Sequence, residues 1–212
     1  MEKPIILNEQ FDQKQLNQEL NWLNEPINWA VDGPEEKLVI KTDQEKDFWQ
    51  KTHYGFQRDD GHFLYLKTDK NFRMTTKMTA HPQNQYDQAG LMVRFSEDYW
   101  VKASLEYLGD EPSKLGAVVT NNGYSDWSTQ LVDTDEIKLF YRLSKIGQVI
   151  YVDFSWDGTD WQQIRVAHLA VPEKEPVMAG IYACSPQGKD QEVHVEFLKI
   201  EELSDDPNEA YL

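Results

Sequence analysis

Along residues 87–107 polar and apolar side chains alternate in two successive runs. In the first, Gln88, Gly90, Met92 and Arg94 oppose Ala89, Leu91, Val93 and Phe95, because successive side chains of an extended chain point to opposite faces. In the second, Trp100, Lys102, Ser104 and Glu106 oppose Tyr99, Val101, Ala103, Leu105 and Tyr107. Pairing the two runs brings an aromatic ring, two cations, a carboxyl group and a primary amide onto one surface. Such a set suits recognition of a sugar or another small polar metabolite, with the ring under the apolar side of the pyranose and charge-assisted hydrogen bonds to its hydroxyls. The bland alternative is a cross-strand ladder of Arg94, Lys102 and Glu106 on a solvated face.

Two more groups supply walls. Residues 47–62 hold Asp47, Trp49, Lys51, His53, Tyr54, Arg58, Asp59, Asp60 and His62, the density of polar and aromatic groups expected at the rim of a small-molecule site. Trp49 and Tyr54 are equally candidates for the core, and Arg58 for a pair with Asp59 or Asp87. The cluster Tyr124, Ser125, Asp126, Trp127 and Ser128 follows a strand and a glycine turn, which places it at a sheet edge. The expected ligand-binding set is therefore Trp49, His53, Gln88, Arg94, Trp100, Lys102, Glu106 and Trp127, with Trp100 as the exposed platform. No catalytic residue, metal or cofactor is expected.

Hydrolysis of a glycosidic bond needs two carboxyl groups roughly 5–9 Å apart. Glu106 has no second acid two or four residues away within its own strand, 99–107, whereas Glu192 and Glu196 share a strand face in the last β-rich run. The five histidines show no ligand spacing with the single cysteine, and no H-E-x-x-H helix, phosphate loop, nucleophile elbow or dinucleotide fingerprint occurs. Asp157-Gly158-Thr159-Asp160 reads as a hairpin turn; it lacks the rest of a calcium loop.

The elements that must position these groups are short strands. β-rich runs are predicted at 38–42, 62–67, 72–80, 87–95, 99–107, 114–121, 137–144, 148–156, 161–167, 177–184 and 192–200. Turn signals separate them at Asp60-Gly61, Asn122-Gly123, Lys145-Ile146-Gly147 and Asp157-Gly158. Many short strands with almost no helical periodicity indicate an all-β sandwich or barrel. One helix is predicted at 12–20, from the spacing of Leu16, Leu20 and Leu23. Ala89, Leu91, Val93, Val101, Ala103, Leu105, Val118, Val152 and Ile181 are the predicted core.

At 212 residues such a sandwich forms one domain, 1–212, with an acidic tail at 201–212 that is expected to fray. The formal net charge of -16 argues against nucleic acid and anionic membranes as partners. With one cysteine no internal disulfide is possible, and Cys184 reads as a buried small hydrophobe. The N-terminal residues lack the pattern of a signal peptide and no run is long enough to cross a bilayer, so the expected compartment is the cytoplasm.

Several strings, in order along the chain, carry a resemblance: WLNEP at 22–26, DFWQKTHYGFQRDDGHFLY at 47–65, YDQAGLMVRFSEDYWVKASLEY at 86–107, VVTNNGYSDWS at 118–128 and ACSPQ at 183–187. They resemble the "regulation of enolase" family, a domain of unknown function with a concanavalin A-like lectin/glucanase fold. The resemblance implies a jelly-roll β-sandwich of two largely antiparallel sheets. It carries no catalytic residues, and the E-x-D-x-E signature of related glucanases is missing around Glu192 and Glu196. The expected function is non-catalytic binding of a carbohydrate or small polar metabolite. The alternatives are a protein-interaction module and, third, a glycoside hydrolase.

Overall fold

The computed structural model describes residues 3–132 and 137–212. Among them run the strands β1 (Ile5–Glu9), β2 (Asn21–Leu23), β3 (Asn28–Asp32), β4 (Lys37–Lys41), β5 (Phe48–Gln50), β6 (Gln57–Asp59), β7 (His62–Thr68), β8 (Phe72–His81) and β9 (Gln88–Ser96). They continue with β10 (Tyr99–Leu108), β11 (Glu111–Asn121), β12 (Tyr124–Val132), β13 (Ile137–Ile146), β14 (Val149–Ser155), β15 (Gln162–His168), β16 (Val177–Cys184) and β17 (Glu192–Glu202). Two antiparallel sheets face each other in a concanavalin A-like jelly roll. An eight-stranded sheet has the order β15-β14-β13-β8-β17-β4-β3 with β1 on β17, and a seven-stranded sheet has the order β12-β11-β10-β9-β16-β7-β2. The hairpin β5–β6 belongs to neither.

The phase read from the alternation is the one observed. Ala89, Leu91, Val93, Val101, Ala103, Leu105, Val152 and Ile181 are buried between the sheets. Val118 is also buried, but on the outer side of the seven-stranded sheet with Met92 and Trp100, so it belongs to a different cluster from the rest of the predicted core. Phe95 keeps 36 % of its surface exposed. Leu91→Ala and Leu105→Ala, each removing a side chain buried among both sheets, should each cost about 2–5 kcal/mol in urea denaturation; a loss below about half a kcal/mol at both would mean a reversed strand phase.

Turn chemistry explains the register of the site. Asn122 and Gly123 adopt φ of 53° and 72°, the left-handed pair that matches the twist of a two-residue hairpin. This turn fixes β11 against β12 with Val118 opposite Trp127 and Asn121 opposite Tyr124. Tyr124 to Ser128 thus open β12, the edge strand of its sheet.

Two elements differ from expectation. Residues 12–20 form no helix. Glu9 instead accepts hydrogen bonds from the backbone N–H groups of Phe11 at 2.8 Å and Asn17 at 3.0 Å, and Phe11 and Leu20 are buried in the core. A run this short cannot repay helix nucleation, so it folds as irregular chain around one carboxylate and its apolar anchors. The acidic tail does not fray. β17 extends to Glu202, and a 3-10 helix, Pro207–Tyr211, buries Ala210 beside Ile146, Tyr151 and Leu203. Arg73 Nη2 donates to the Glu209 carbonyl and holds the helix on the eight-stranded sheet. Among the described residues no helix is long and apolar enough to cross a membrane.

Candidate functional site

The outer face of the seven-stranded sheet carries two zones. Over β9, β10 and β16 the β5–β6 hairpin folds down as a cover. It is tied in three places: the Phe48 carbonyl accepts from Lys102 Nζ at 2.7 Å, the Gln50 N–H donates to Ser125 Oγ at 2.9 Å, and Asp59 takes both terminal nitrogens of Arg94 at 2.6 and 2.8 Å. Its Phe48 packs into the cluster of Phe63, Met92, Trp100, Tyr182 and Cys184 beneath it. Beside it opens a cleft of about 1370 Å³ whose lining includes Asp47, Trp49, His53, Tyr86, Gln88, Lys102, Glu106, Lys114, Tyr124, Trp127 and Arg165.

Six of the eight expected ligand-binding residues line this cleft: Trp49, His53, Gln88, Lys102, Glu106 and Trp127. Two do not. Trp100 has 0 % exposure, its Nε1 donates to the Glu97 carbonyl at 3.0 Å, and its ring packs 6.5 Å from that of Phe48; it is a core residue of the covered zone and offers no platform. Arg94 is buried in its two-pronged contact with Asp59, a partner expected for Arg58, which instead reaches Asp60. Both corrections have one cause: the hairpin occupies the part of the face on which Trp100 and Arg94 stand.

The floor of the cleft is a hydrogen-bonded chain. Lys102, 3 % exposed, donates from Nζ to Asp47 Oδ1 at 3.4 Å, the Phe48 carbonyl at 2.7 Å and Gln88 Oε1 at 2.9 Å, which uses all three of its donors. Gln88 Oε1 also accepts from the Tyr182 hydroxyl at 3.1 Å. With its oxygen held, the Gln88 amide nitrogen is turned toward Glu106 Oε2 at 3.3 Å and the Tyr86 carbonyl at 3.2 Å. Lys102 is thus a buried positioning cation for the floor, and Glu106 is the group left facing the cleft.

Burial pushes the Glu106 carboxyl from its ordinary 4.5 up to about 7, with Asp47 adding to the rise and Lys102 and Lys114 opposing it. The native state therefore holds this proton more tightly than the unfolded chain. Stability contributed this way is complete below pH 4.5 and is lost as pH rises through about 7. Glu106→Gln, which cannot ionise, should match the wild type at pH 4 and exceed it by on the order of 1–3 kcal/mol at pH 8. Parallel pH dependences of the two urea midpoints would contradict the assigned burial.

The walls are aromatic. Trp49 and Trp127 meet edge to face, centroids 6.4 Å apart at 84°, and Trp49 Nε1 is fixed by the Thr52 carbonyl at 2.7 Å. Trp127 remains 38 % exposed and Tyr124 61 %. Cations stand against both rings, Lys114 Nζ 5.0 Å from the Trp127 centroid and Lys51 Nζ 5.4 Å from that of Tyr124. Lys51, His53 and Tyr54 all have positive φ, between 50° and 64°, in a loop closed by the Lys51 N–H to the Phe56 carbonyl at 2.8 Å. Strained loops of this kind gather at ligand sites. His62, by contrast, is consumed structurally, with Nδ1 on the Asn24 carbonyl at 2.7 Å and Nε2 accepting from the Asp43 N–H at 2.9 Å.

Lys114 escaped the sequence reading, although its strand carries it at alternation with Val118 and directly opposite Glu106. Arg165 has no such signal, since only the folded chain brings it here. Arg165 comes from the other sheet and bonds Asp126 and Ser128 of β12. Glu192 and Glu196 lie far from this chemistry. Four residues of strand separate their Cα atoms by about 13 Å, beyond the spacing of a hydrolytic pair. Each is also held by a cation on the eight-stranded sheet, Glu192 by Lys41 and Glu196 by Lys77.

The comparisons with known proteins agree with this architecture. Residues 22–203 match the family described as "Protein of unknown function (DUF1349)". The chain is 35 % identical over 166 residues to Regulation of enolase protein 1 of Saccharomyces cerevisiae, covering 78 % of this chain and 81 % of that protein. A crystal structure of a functionally unknown protein from Saccharomyces cerevisiae superposes with a TM-score of 0.80 at 31 % identity, over 88 % of this chain and 97 % of the other. The xylan beta-1,4-xylosidase of Bacillus halodurans shares the fold at a TM-score of 0.73 and 14 % identity, over 92 % of this chain and 39 % of the enzyme. A family match across this much of the sequence, together with the yeast relative, shows that the chain belongs to the DUF1349 family.

Proposed function

We propose that the cleft binds a carbohydrate or a closely related polyol. One observation carries the reading: exposed Trp127 and Tyr124 stand with Trp49 over a floor on which Gln88, Lys102 and Glu106 are already oriented by one another. Aromatic faces take the apolar side of a sugar ring, and the Glu106 carboxyl held by that floor, with the Lys114 ammonium beside it, serves its hydroxyls. The volume exceeds the roughly 300–1,000 Å³ of common small-molecule sites, which suits more than one sugar unit. A molecule of net charge -16 favours a neutral ligand over an anionic one. The test is calorimetric titration with D-glucose, D-galactose, D-xylose and their disaccharides. Trp127→Ala should weaken binding about tenfold, equivalent to about 1.4 kcal/mol, while the unliganded melting temperature stays unchanged. Absence of heat with every sugar would reject the reading.

A second reading is a protein-interaction module, favoured by the regulatory name of the yeast relative and by exposed Leu131 on edge strand β12. A partner docked there would be lost with Leu131→Ser, a change outside the cleft lining that leaves sugar binding intact.

A further inference from the structure

We infer that the cleft is also an acid–base site, in which Glu106 and Lys114 move protons between the anomeric hydroxyl and the ring oxygen of a bound reducing sugar and so interconvert its anomers. The inference rests on the sugar-binding reading of the same cleft and goes beyond it.

Glu106 and Lys114 stand directly opposite on β10 and β11, a relation that brings Cβ atoms to about 4.5–5.5 Å. Both line the cleft. Neither is spent on the other: Lys114 Nζ lies 5.0 Å from the Trp127 ring centroid, and Glu106 accepts a long bond of 3.3 Å from Gln88. The remaining charges of the floor and far wall are committed. Lys102 serves three acceptors, Asp47 holds Lys102 and the Phe48 N–H, and Asp126 holds Arg165. One carboxyl and one ammonium are left side by side, next to the ring that would seat a sugar.

Anomer exchange asks for that pair and nothing more. Glu106 takes the proton of the anomeric hydroxyl; that C–O bond becomes a carbonyl as the bond from the anomeric carbon to the ring oxygen breaks. The electron pair stays on the ring oxygen, which takes a proton from the Lys114 ammonium. After rotation about the first carbon–carbon bond the same steps run backwards on the other carbonyl face: the hydroxyl attacks the carbonyl carbon and returns its proton to Lys114, while the carbonyl oxygen recovers its proton from Glu106. Atoms and charge balance without oxidant, reductant, metal or second carboxyl. The two oxygens are bonded to one carbon, so neighbouring side chains on one sheet face can serve both. The groups facing Glu106 are Lys102 on its own strand, Gln88 on β9, Lys114 on β11, Asp47 ahead of the hairpin and Tyr182 on β16. With its pKa near 7, Glu106 exchanges protons in either direction at neutral pH.

The experiment is polarimetry of freshly dissolved α-D-glucose, α-D-galactose and α-D-xylose, with binding of each measured alongside by calorimetry. Wild type should relax the rotation on the order of 10²–10⁴-fold faster than buffer, with a rate that rises with pH through about 7 as Glu106 ionises. Glu106→Gln and Lys114→Met should relax the rotation at the buffer rate, whatever affinity calorimetry finds for them. Wild-type binding without acceleration would overturn this inference and leave the binding function standing; no binding by any sugar would overturn both. Acceleration that survives Glu106→Gln would remove Glu106 from the step. Should Glu106→Gln fail to bind, the wild-type profile decides: an inflection near 7 supports the pair, and a flat profile overturns it.

Discussion

Trp100→Ala should destabilise the protein by about 3–5 kcal/mol, although the alternation alone would make the residue an exposed platform whose loss costs binding and nothing else. Its side chain is wholly enclosed by the cluster of Phe48, Phe63, Met92, Val118 and Tyr182. Truncation opens a cavity there and frees the indole's acceptor, the Glu97 carbonyl. The β5–β6 cover rests on this cluster through Phe48, so the variant should also lose order in the Trp49 wall. Urea denaturation at pH 7 reads the first effect and Trp fluorescence quenching the second. Trp127→Ala is the control, since surface changes mostly stay within about 0.5 kcal/mol. A Trp100→Ala loss no larger than that would mean that the hairpin does not cover the sheet in solution.

Lys102→Met should cost a similar 3–5 kcal/mol. Methionine keeps most of the volume but leaves the Phe48 carbonyl, Gln88 Oε1 and Asp47 Oδ1 without the cation they share. Removing one partner of a buried pair is far more damaging than removing both, because the survivor stays charged and desolvated. Lys102→Met with Asp47→Asn should therefore recover part of the loss, and a double-mutant cycle measures the coupling. Additivity of the two changes would show that Lys102 and Asp47 act independently. A second consequence concerns the floor: with only the Tyr182 hydroxyl left on its oxygen, the Gln88 amide is held less firmly toward Glu106, so sugar affinity should fall in this variant too.

Why some of this was legible in the sequence and some was not follows from the range of the interactions. The faces of residues 88–107 depend on a period of two and on burial between sheets, both local, and Leu91, Val101 and Leu105 fall where the alternation puts them. The Asn122-Gly123 turn likewise states its own geometry and so delivers Trp127 to the sheet edge. Whether an outward residue meets water or another segment is a different matter. Trp100 and Arg94 share a face with Lys102 and Glu106, yet the segment that covers them lies some 35 or more positions earlier, at Phe48 and Asp59. No pattern within β9 or β10 records that cover. Residues 12–20 depart from the sequence pattern for a related reason: the leucine spacing fits a helix face, while Glu9 and the buried Phe11 impose another path. The acidic tail looked solvated because its charges dominate its composition, whereas Ala210 and Leu203 decide where it packs.

The central claim is that a sugar enters the cleft walled by Trp49, Tyr124 and Trp127. The seven tryptophans make the most direct measurement an NMR titration of the indole N–H signals with D-galactose or D-xylose at pH 6.5. The account predicts that the Trp49 and Trp127 signals shift together and saturate, while the buried Trp100 and the distant Trp22, Trp29, Trp156 and Trp161 stay in place. Shifts confined to any of those five, or none at saturating sugar, would contradict it.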